Sequence, residues 1–495
     1  MVASRKAIGH AMAGAVLCGT LTLTACRPVG PNYTPPSVTA PALYKETGST
    51  AVAVPPPNPN GGRWQPATPS DGLLRGAWWE IYKDPRLNQL EERIAPANQT
   101  LRAAVEAYLA ARDQVKVARA DFYPTLSAGA SFSHDNLSRN RPLAANSSTS
   151  SYNDLVLAGQ ASWEPDFWGR VRRSVEAAAA SAQASAADVA TVDLSLHAEL
   201  AQDYFELRGL DTQSRLLQST VSDYQHQLDL TGQRLKGGVA TGADVALANT
   251  LLETVRAQLI DVNQARAQFE HAIATLINQP AAQFSIASAP LELALPAVPV
   301  GVPSQLAERR PDVAVAERRA ASANAQIGIA ISAFYPTISL GGQGGFESTH
   351  GGTWIQGPGA LWSLGAQAAE LLFDAGRRHA LTDAARHNFE SQSATYKATV
   401  VSAFNEVEDR LSDLRILEQE SSAEQKAVDA ARHSLDLSNQ RYQGGVTSYL
   451  EVLTAESALL QNQRTATDLQ TRRFVASIGL VLALGGGWDV TQLPK

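Results

Sequence analysis

From residue 97 onward, apolar and polar positions follow one pattern twice. Helical spacing runs over 97–121 and again over 309–333, and each stretch ends at Phe-Tyr-Pro, where proline lacks the N–H and clashes with the preceding turn. Two extended stretches follow in each case, 122–133 with 153–164 and 334–346 with 360–372. The series Leu155, Leu157, Gly159, Ala161, Trp163 has the period of two that gives a strand one apolar face. The segments joining these strands are rich in Asn, Ser and Thr (146–151) or in Gly (351–359), as exposed turns are. Long helical patterns over 166–236 and 374–443 come next, rich in Ala, Leu, Gln, Glu and Arg. No proline occurs from Asp166 to Gln279 or from Gly359 to Leu493. One glycine pair breaks each span, Gly237-Gly238 and Gly444-Gly445, and a return helix of roughly 38 residues follows, so each span predicts a helical hairpin.

The two patterns are copies. Phe122-Tyr123-Pro124-Thr125 recurs as Phe334-Tyr335-Pro336-Thr337, and Gly169-Arg170 as Gly376-Arg377. Leu228-Asp229-Leu230 through Gly237-Gly238-Val239 matches Leu435-Asp436-Leu437 through Gly444-Gly445-Val446. Internal repetition of this kind defines the organisation of the chain. It divides into an N-terminal segment with a first helix (26–96), a first repeat (97–279), a Pro-rich linker (280–308), a second repeat (309–484) and a tail (485–495). Eleven of the 25 prolines lie between Pro28 and Pro69, so the N-terminal segment reads as extended chain.

Helices of about 71 residues would be about 106 Å long at 1.5 Å per residue. A return helix stacked on the next short helix covers nearly the same distance, which is a length suited to a tube. Strands of about 10–12 residues can cross a bilayer, and spanning strands must close into a barrel because open edges have no partners in lipid. Four strands cannot close alone. Several chains must share the barrel: three copies give twelve strands, two give eight. A small sheet capping a soluble coiled coil is the competing reading.

The first 25 residues read as an export signal. Arg5 and Lys6 precede a small-residue apolar stretch, too short for a membrane span. It ends Leu23-Thr24-Ala25-Cys26, which resembles a bacterial lipobox and makes Cys26 the expected lipidation site. Cys18 and Cys26 are the only cysteines, so nothing after them can form a disulfide or a cysteine metal site. At 44% hydrophobic and 18% charged, with a net charge of −7, the chain is too apolar for disorder and too weakly charged for a nucleic-acid binder. No His-Glu-x-x-His, Gly-x-Ser-x-Gly or phosphate loop is present, so the sequence predicts no enzyme, no metal and no cofactor.

Taken in order, these motifs resemble the TolC family of outer-membrane factors, in particular its OprM/NodT-like lipoprotein branch. The motifs are Cys26-Arg27-Pro28-Val29-Gly30-Pro31-Asn32-Tyr33, Trp78-Trp79 with Asp84-Pro85-Arg86-Leu87, the paired Phe-Tyr-Pro-Thr and Arg-x-x-Gly-Gly-Val segments, and Ala483-Leu484-Gly485-Gly486-Gly487-Trp488. The resemblance implies a mainly α fold with membrane β: an internally duplicated chain giving four strands to a trimeric 12-stranded outer-membrane β-barrel on a long periplasmic α-helical barrel. It implies a homotrimer in outer-membrane lipid, coupled to a periplasmic adaptor protein and an inner-membrane pump of the resistance-nodulation-division type. The expected function is a passive efflux duct for small molecules. A type I protein-secretion duct and a lipid-anchored periplasmic coiled-coil protein without a pore are the alternatives.

The same resemblance places the turns Gly237, Gly238, Val239 and Gly444, Gly445, Val446 at the periplasmic tip as adaptor contacts, although any long hairpin needs a glycine turn. It places a periplasmic gate just after the second turn, at Tyr442, Tyr449, Leu450, Glu451 and Thr454, with Glu456 beyond. Some relatives carry an acid where this chain has Thr454, so Glu451 is the substitute for an acidic ring, and a solvated outer face is the other reading of these glutamates. Arg170, Arg172, Arg173, Arg377 and Arg378 follow the strands as candidates for lipid headgroups or as plain helix-surface charge. Trp163, Phe167, Trp168, Trp362 and Phe373 are candidates for an aromatic girdle or for core packing.

Overall fold

The computed structural model describes residues 27–41, 44–47, 76–136, 138, 151–298 and 309–494. The signal segment, Cys26 and the linker positions 299–308 lie outside the described residues. Helices α1 (Pro85–Glu91), α2 (Ile94–Ala97) and α3 (Gln99–Ala120) lead into strands β1 (Thr125–Asn136) and β2 (Ser151–Trp163). The long helix α4 (Arg170–Lys236) and its return helix α5 (Gly242–Leu276) follow. The second repeat has α6 (Pro311–Ser332), β3 (Thr337–Ser348), β4 (Ala360–Ala369), α7 (Arg377–Gln443) and α8 (Tyr449–Ala483). Paired helices have equal lengths: 22 residues in α3 and α6, 67 in α4 and α7, 35 in α5 and α8. The duplication read from the motifs is thus a duplication of whole elements.

Element ends depart from the pattern for identifiable reasons. The strands begin at Thr125 and Thr337 because Phe-Tyr-Pro forms a turn instead: Phe122 and Tyr123 N–H donate to Arg119 and Ala120, and Phe334 and Tyr335 to Ile331 and Ser332. β4 stops at Ala369 because Ala369 pairs with Thr337, and β3 has no residue beyond that to pair with 370–372. α4 begins at Arg170 because the Asp166 carboxylate caps it, accepting from Val171 and Arg172 N–H at 3.1 and 3.0 Å. Asp374 does the same for α7, accepting from Gly376 and Arg378 N–H. The return helices end at Leu276 and Ala483, just before left-handed Asn278 and Gly485 (φ 51° and 88°), and at 35 residues they are about three shorter than the pattern predicts because residues 239–241 and 446–448 belong to the turns before them.

The chain forms two compact units. The first holds the described residues up to Pro36, with Ala107–Ser185 and Ala316–Tyr396. Its centre is a four-stranded antiparallel sheet in the order β1-β2-β3-β4, with β1 and β4 as edges. The register sorts side chains cleanly, because residues paired across strands share a face. Phe132 pairs with Leu155, Leu157 with Phe346, Trp163 with Leu340, and Leu364 with Gly342, all on one face. Ser127 pairs with Gln160, Gln160 with Gln343, and Gln343 with Ser363, all on the other. Trp362 and Leu364 are 82% and 83% exposed on the apolar face.

The N-terminal segment straps onto this unit. Arg173 is buried, and its guanidinium donates to the carbonyls of Val29 and Gly30 and to Asn32 Oδ1 at 3.0–3.2 Å, and to Glu176 Oε2 at 2.7 Å. The approach is close: a Cβ on Gly30 would stand 2.6 Å from Gly328 Cα, and one on Gly169 2.5 Å from Pro28. Arg173 is therefore not a headgroup contact, because burial spends its donors on the strap. Arg172 pairs with Asp166, Arg170 with Glu164 and Arg378 with Asp374. Trp168 is half-buried, stacks on Tyr335 and donates to the Pro336 carbonyl, so it joins the two repeats rather than facing outward.

The second unit holds the described residues of Ser37–Glu106, Ala186–Val315 and Lys397–Lys495. Its largest core gathers Tyr82, Leu90, Ile94, Phe205, Ile273 and Phe474, with Phe205 and Phe474 rings stacked at 4.7 Å. Asp84 caps α1, accepting from Arg86 and Leu87 N–H, and its second oxygen accepts from Tyr204 at 2.7 Å. Among the described residues no helix is long and apolar enough to cross a membrane.

Candidate functional site

Two places in the molecule have the construction of a conduit. One is the sheet, polar on one face and apolar on the other. The second is the pair of hairpin turns in the second unit.

Both turns close in the same way. Val239 N–H donates to Arg234 O and Gly238 N–H to Leu235 O, and the second turn repeats this with Val446 to Arg441 and Gly445 to Tyr442. These are Schellman closures with the left-handed residue at Gly238 (φ 74°) and Gly445 (φ 68°). Only the second glycine of each pair is needed for this. A Cβ on Gly237 or Gly444 would make ordinary contacts at 3.4–3.7 Å with carbonyls of the preceding turn. Val239 and Val446 project into solvent, an unusual place for a bare isopropyl group. The return helices start differently. Thr241 and Asp244 form a reciprocal capping box on α5. Ser448 makes no such side-chain cap on α8, and Glu451, the counterpart of Asp244, instead approaches Arg441 at 3.7 Å.

Just above the turns the two hairpins clasp one another. The Arg234 guanidinium lies 4.9 Å from the centre of the Tyr442 ring, and Tyr442 contacts Tyr449 at 5.3 Å. Tyr449 is buried with Ala248, Val452 and Leu453. Burial, with Glu456 adding, pushes its hydroxyl up to about 12, against a hydrogen bond with Thr231. Leu450, Glu451 and Thr454 lie on the opposite, exposed face of α8, and Thr454 donates to the Leu450 carbonyl at 2.8 Å. The five sequence-selected residues thus split into a buried clasp and an outward stripe.

One buried pair was not singled out by any motif. His197 Nδ1 meets Glu91 Oε2 at 2.7 Å, and its ring stacks on Trp79 at 4.4 Å. Burial pulls the imidazole pKa down, but the carboxylates of Asp193 and Glu91 outweigh it and raise the group to about 9. The signal in the sequence was a lone histidine on a helix, and only the fold brings Glu91 to it. Among the described residues, no group of three His, Cys, Asp or Glu could hold a metal ion.

A sheet amphipathic in cross-section, joined to paired 67-residue helices, defines an outer-membrane channel protein of mixed α and β construction. The comparisons agree. The profile of the outer membrane efflux protein family matches residues 92–279 and 302–486, and the chain belongs to that family. It is 32% identical over 436 residues to the pyoverdine export outer membrane protein OpmQ of Pseudomonas aeruginosa, covering 87% of this chain and 91% of that one. It is 30% identical over 436 residues to the toluene efflux pump outer membrane protein TtgC of Pseudomonas putida, covering 87% and 89%. The open state of the MtrE outer membrane channel of Neisseria gonorrhoeae superimposes with a TM-score of 0.79 at 28% identity, over 94% of this chain and 99% of that one. Members of this family are channels of the Gram-negative outer membrane. The chain is an outer-membrane efflux channel protein, as the resemblance implied.

Proposed function

We propose that three copies close one 12-stranded barrel, and that the assembly passes small molecules outward from an inner-membrane pump and a periplasmic adaptor. The observation that carries this is the four-stranded sheet with its two free edges, β1 and β4. Its polar face, with Gln160, Gln343 and Ser363, suits a wet lumen, and its apolar face, with Leu157, Phe346, Trp362 and Leu364, suits lipid. Free strand edges in lipid leave backbone groups unpaired, so edge must meet edge on a neighbouring copy. Small-molecule cargo is supported by the roles of the relatives in pyoverdine export and toluene efflux.

In this reading Gly237, Gly238, Val239, Gly444, Gly445 and Val446 form the tips that the adaptor contacts, with Val239 and Val446 as exposed apolar knobs. Tyr442 and Tyr449 clasp the hairpins, and the stripe Leu450, Glu451 and Thr454 narrows the periplasmic entrance. Cys26 carries the lipid anchor, after cleavage of a signal peptide. The chain performs no catalysis and takes the energy for transport from the pump.

The decisive experiment is the mass and shape of the detergent-purified protein by light scattering and electron microscopy, followed by conductance in planar bilayers. A three-chain cylinder with steady conductance is expected. A monomer, or a rod without a barrel, overturns the shared-barrel reading.

A further inference from the structure

Residues of α4 and α8, with Leu435 of α7, line a cleft of about 570 Å³ in the second unit. Sites for small ligands commonly enclose roughly 300–1,000 Å³. Glu456 lines the cleft and is 8% exposed, and its Oε2 is buried without a hydrogen-bond partner. A buried acceptor left without a donor is costly, and more so when charged. Asp223 lines the same cleft, and burial together with the Asp223 charge pushes the Glu456 carboxyl up to about 7. The cleft therefore presents an unmet demand for a cationic donor. Its remaining wall includes Leu216, Leu459 and Leu460, an apolar surface beside the acids. A metal ion is a poor occupant, because no group of three ligating side chains exists among the described residues. An ammonium group needs no such cage: it can donate to one carboxylate, feel the second, and lay its hydrocarbon on the leucines.

We propose that this cleft binds a primary ammonium carried on a short apolar chain, with Glu456 and Asp223 holding the charge and Leu216, Leu459 and Leu460 holding the hydrocarbon. The site lies within one chain's own residues and goes beyond the duct reading, so it can fail without touching that reading.

The test is calorimetric titration of the full-length, detergent-purified protein with n-butylammonium at pH 8, with butan-1-ol as the uncharged control. Saturable binding of one ammonium per chain is expected, at least tenfold tighter than butanol. Glu456→Gln should weaken it at least tenfold, and Asp223→Asn by less, because the orphaned oxygen remains. Equal binding of butanol, no saturable binding, or an unchanged affinity in Glu456→Gln overturns the proposal.

Should Glu456→Gln fail to assemble, wild type titrated from pH 8 to pH 6 serves instead. The groups whose charge couples to Glu456 are Asp223 and Tyr224 on α4 and Tyr449 on α8, and His226 of α4 lines the same cleft. Affinity should fall as Glu456 gains its proton. The fall should persist in His226→Gln, which removes the imidazole lining the same cleft, and an affinity flat with pH overturns the proposal.

Discussion

Leu364 sits midway along β4, 83% exposed, paired with Gly342 on the apolar face. Its neighbour Ser363 pairs with Gln343 on the polar face. Replacing each with arginine tests the barrel reading through two positions one residue apart. An arginine held at the lipid-facing midplane of an outer-membrane barrel costs about 2–4 kcal/mol. In the proposed three-chain assembly this multiplies to about 6–12 kcal/mol, which is comparable to the whole stability of many domains. Leu364→Arg should thus empty the folded, membrane-inserted population. Ser363→Arg should stay folded and lower conductance by adding positive charge to the lumen. The assay is urea unfolding of the protein in phospholipid vesicles, read by tryptophan fluorescence and by heat-modifiable mobility on gels. If the two variants lose stability equally, or Ser363→Arg loses more, the assignment of faces is wrong and the sheet does not face lipid as argued.

Three further outcomes follow from the hairpins and the core. Gly238→Ala and Gly445→Ala place a Cβ in left-handed backbone and should each cost about 1–2 kcal/mol. Gly444→Ala should be neutral or stabilising, because its Cβ would make only ordinary van der Waals contacts and its φ is ordinary; thermal midpoints in detergent distinguish the two classes. Tyr442→Ala removes the Arg234 contact and the Tyr449 ring pair, together about 1–2 kcal/mol per chain. Single-channel conductance should rise, and unchanged conductance would separate the clasp from any gating role. His197 has its folded pKa raised above the unfolded value, so its stabilisation is full below about pH 6.5 and is lost as pH rises through about 9. The thermal midpoint should decline between pH 7 and pH 10, and His197→Gln should flatten that decline; an equal slope in the variant would place the effect elsewhere.

The resemblance to known motifs made the family legible, but the physical pattern alone carried much of the architecture. Proline placement, strand alternation and the two glycine pairs specify local backbone states: where a helix must stop, which face of a strand is apolar, where the chain must turn left-handed. These depend on neighbours in sequence, so one sequence determines them. The duplication followed from the same source, and equal motifs became equal helices of 67 and 35 residues. Element ends were misplaced by up to four residues where a side chain from outside the element closed it, as Asp166 does for α4.

Only the tertiary structure decided which charges are spent. Arg170, Arg172 and Arg173 read alike in the sequence, yet Arg173 alone is buried and holds the N-terminal strap 141–144 residues away. Tyr449 and Leu450 are adjacent in sequence, yet one is 3% exposed and the other 56%, because the opposing hairpin covers one face of α8. Glu91 meets His197 across 106 residues, and the Glu456 Oε2 is buried without a hydrogen-bond partner beside the cleft it shares with Asp223. The reason is common to all of these. Burial and pairing depend on residues brought together across long loops, and a charge in a sequence carries no record of what will desolvate it.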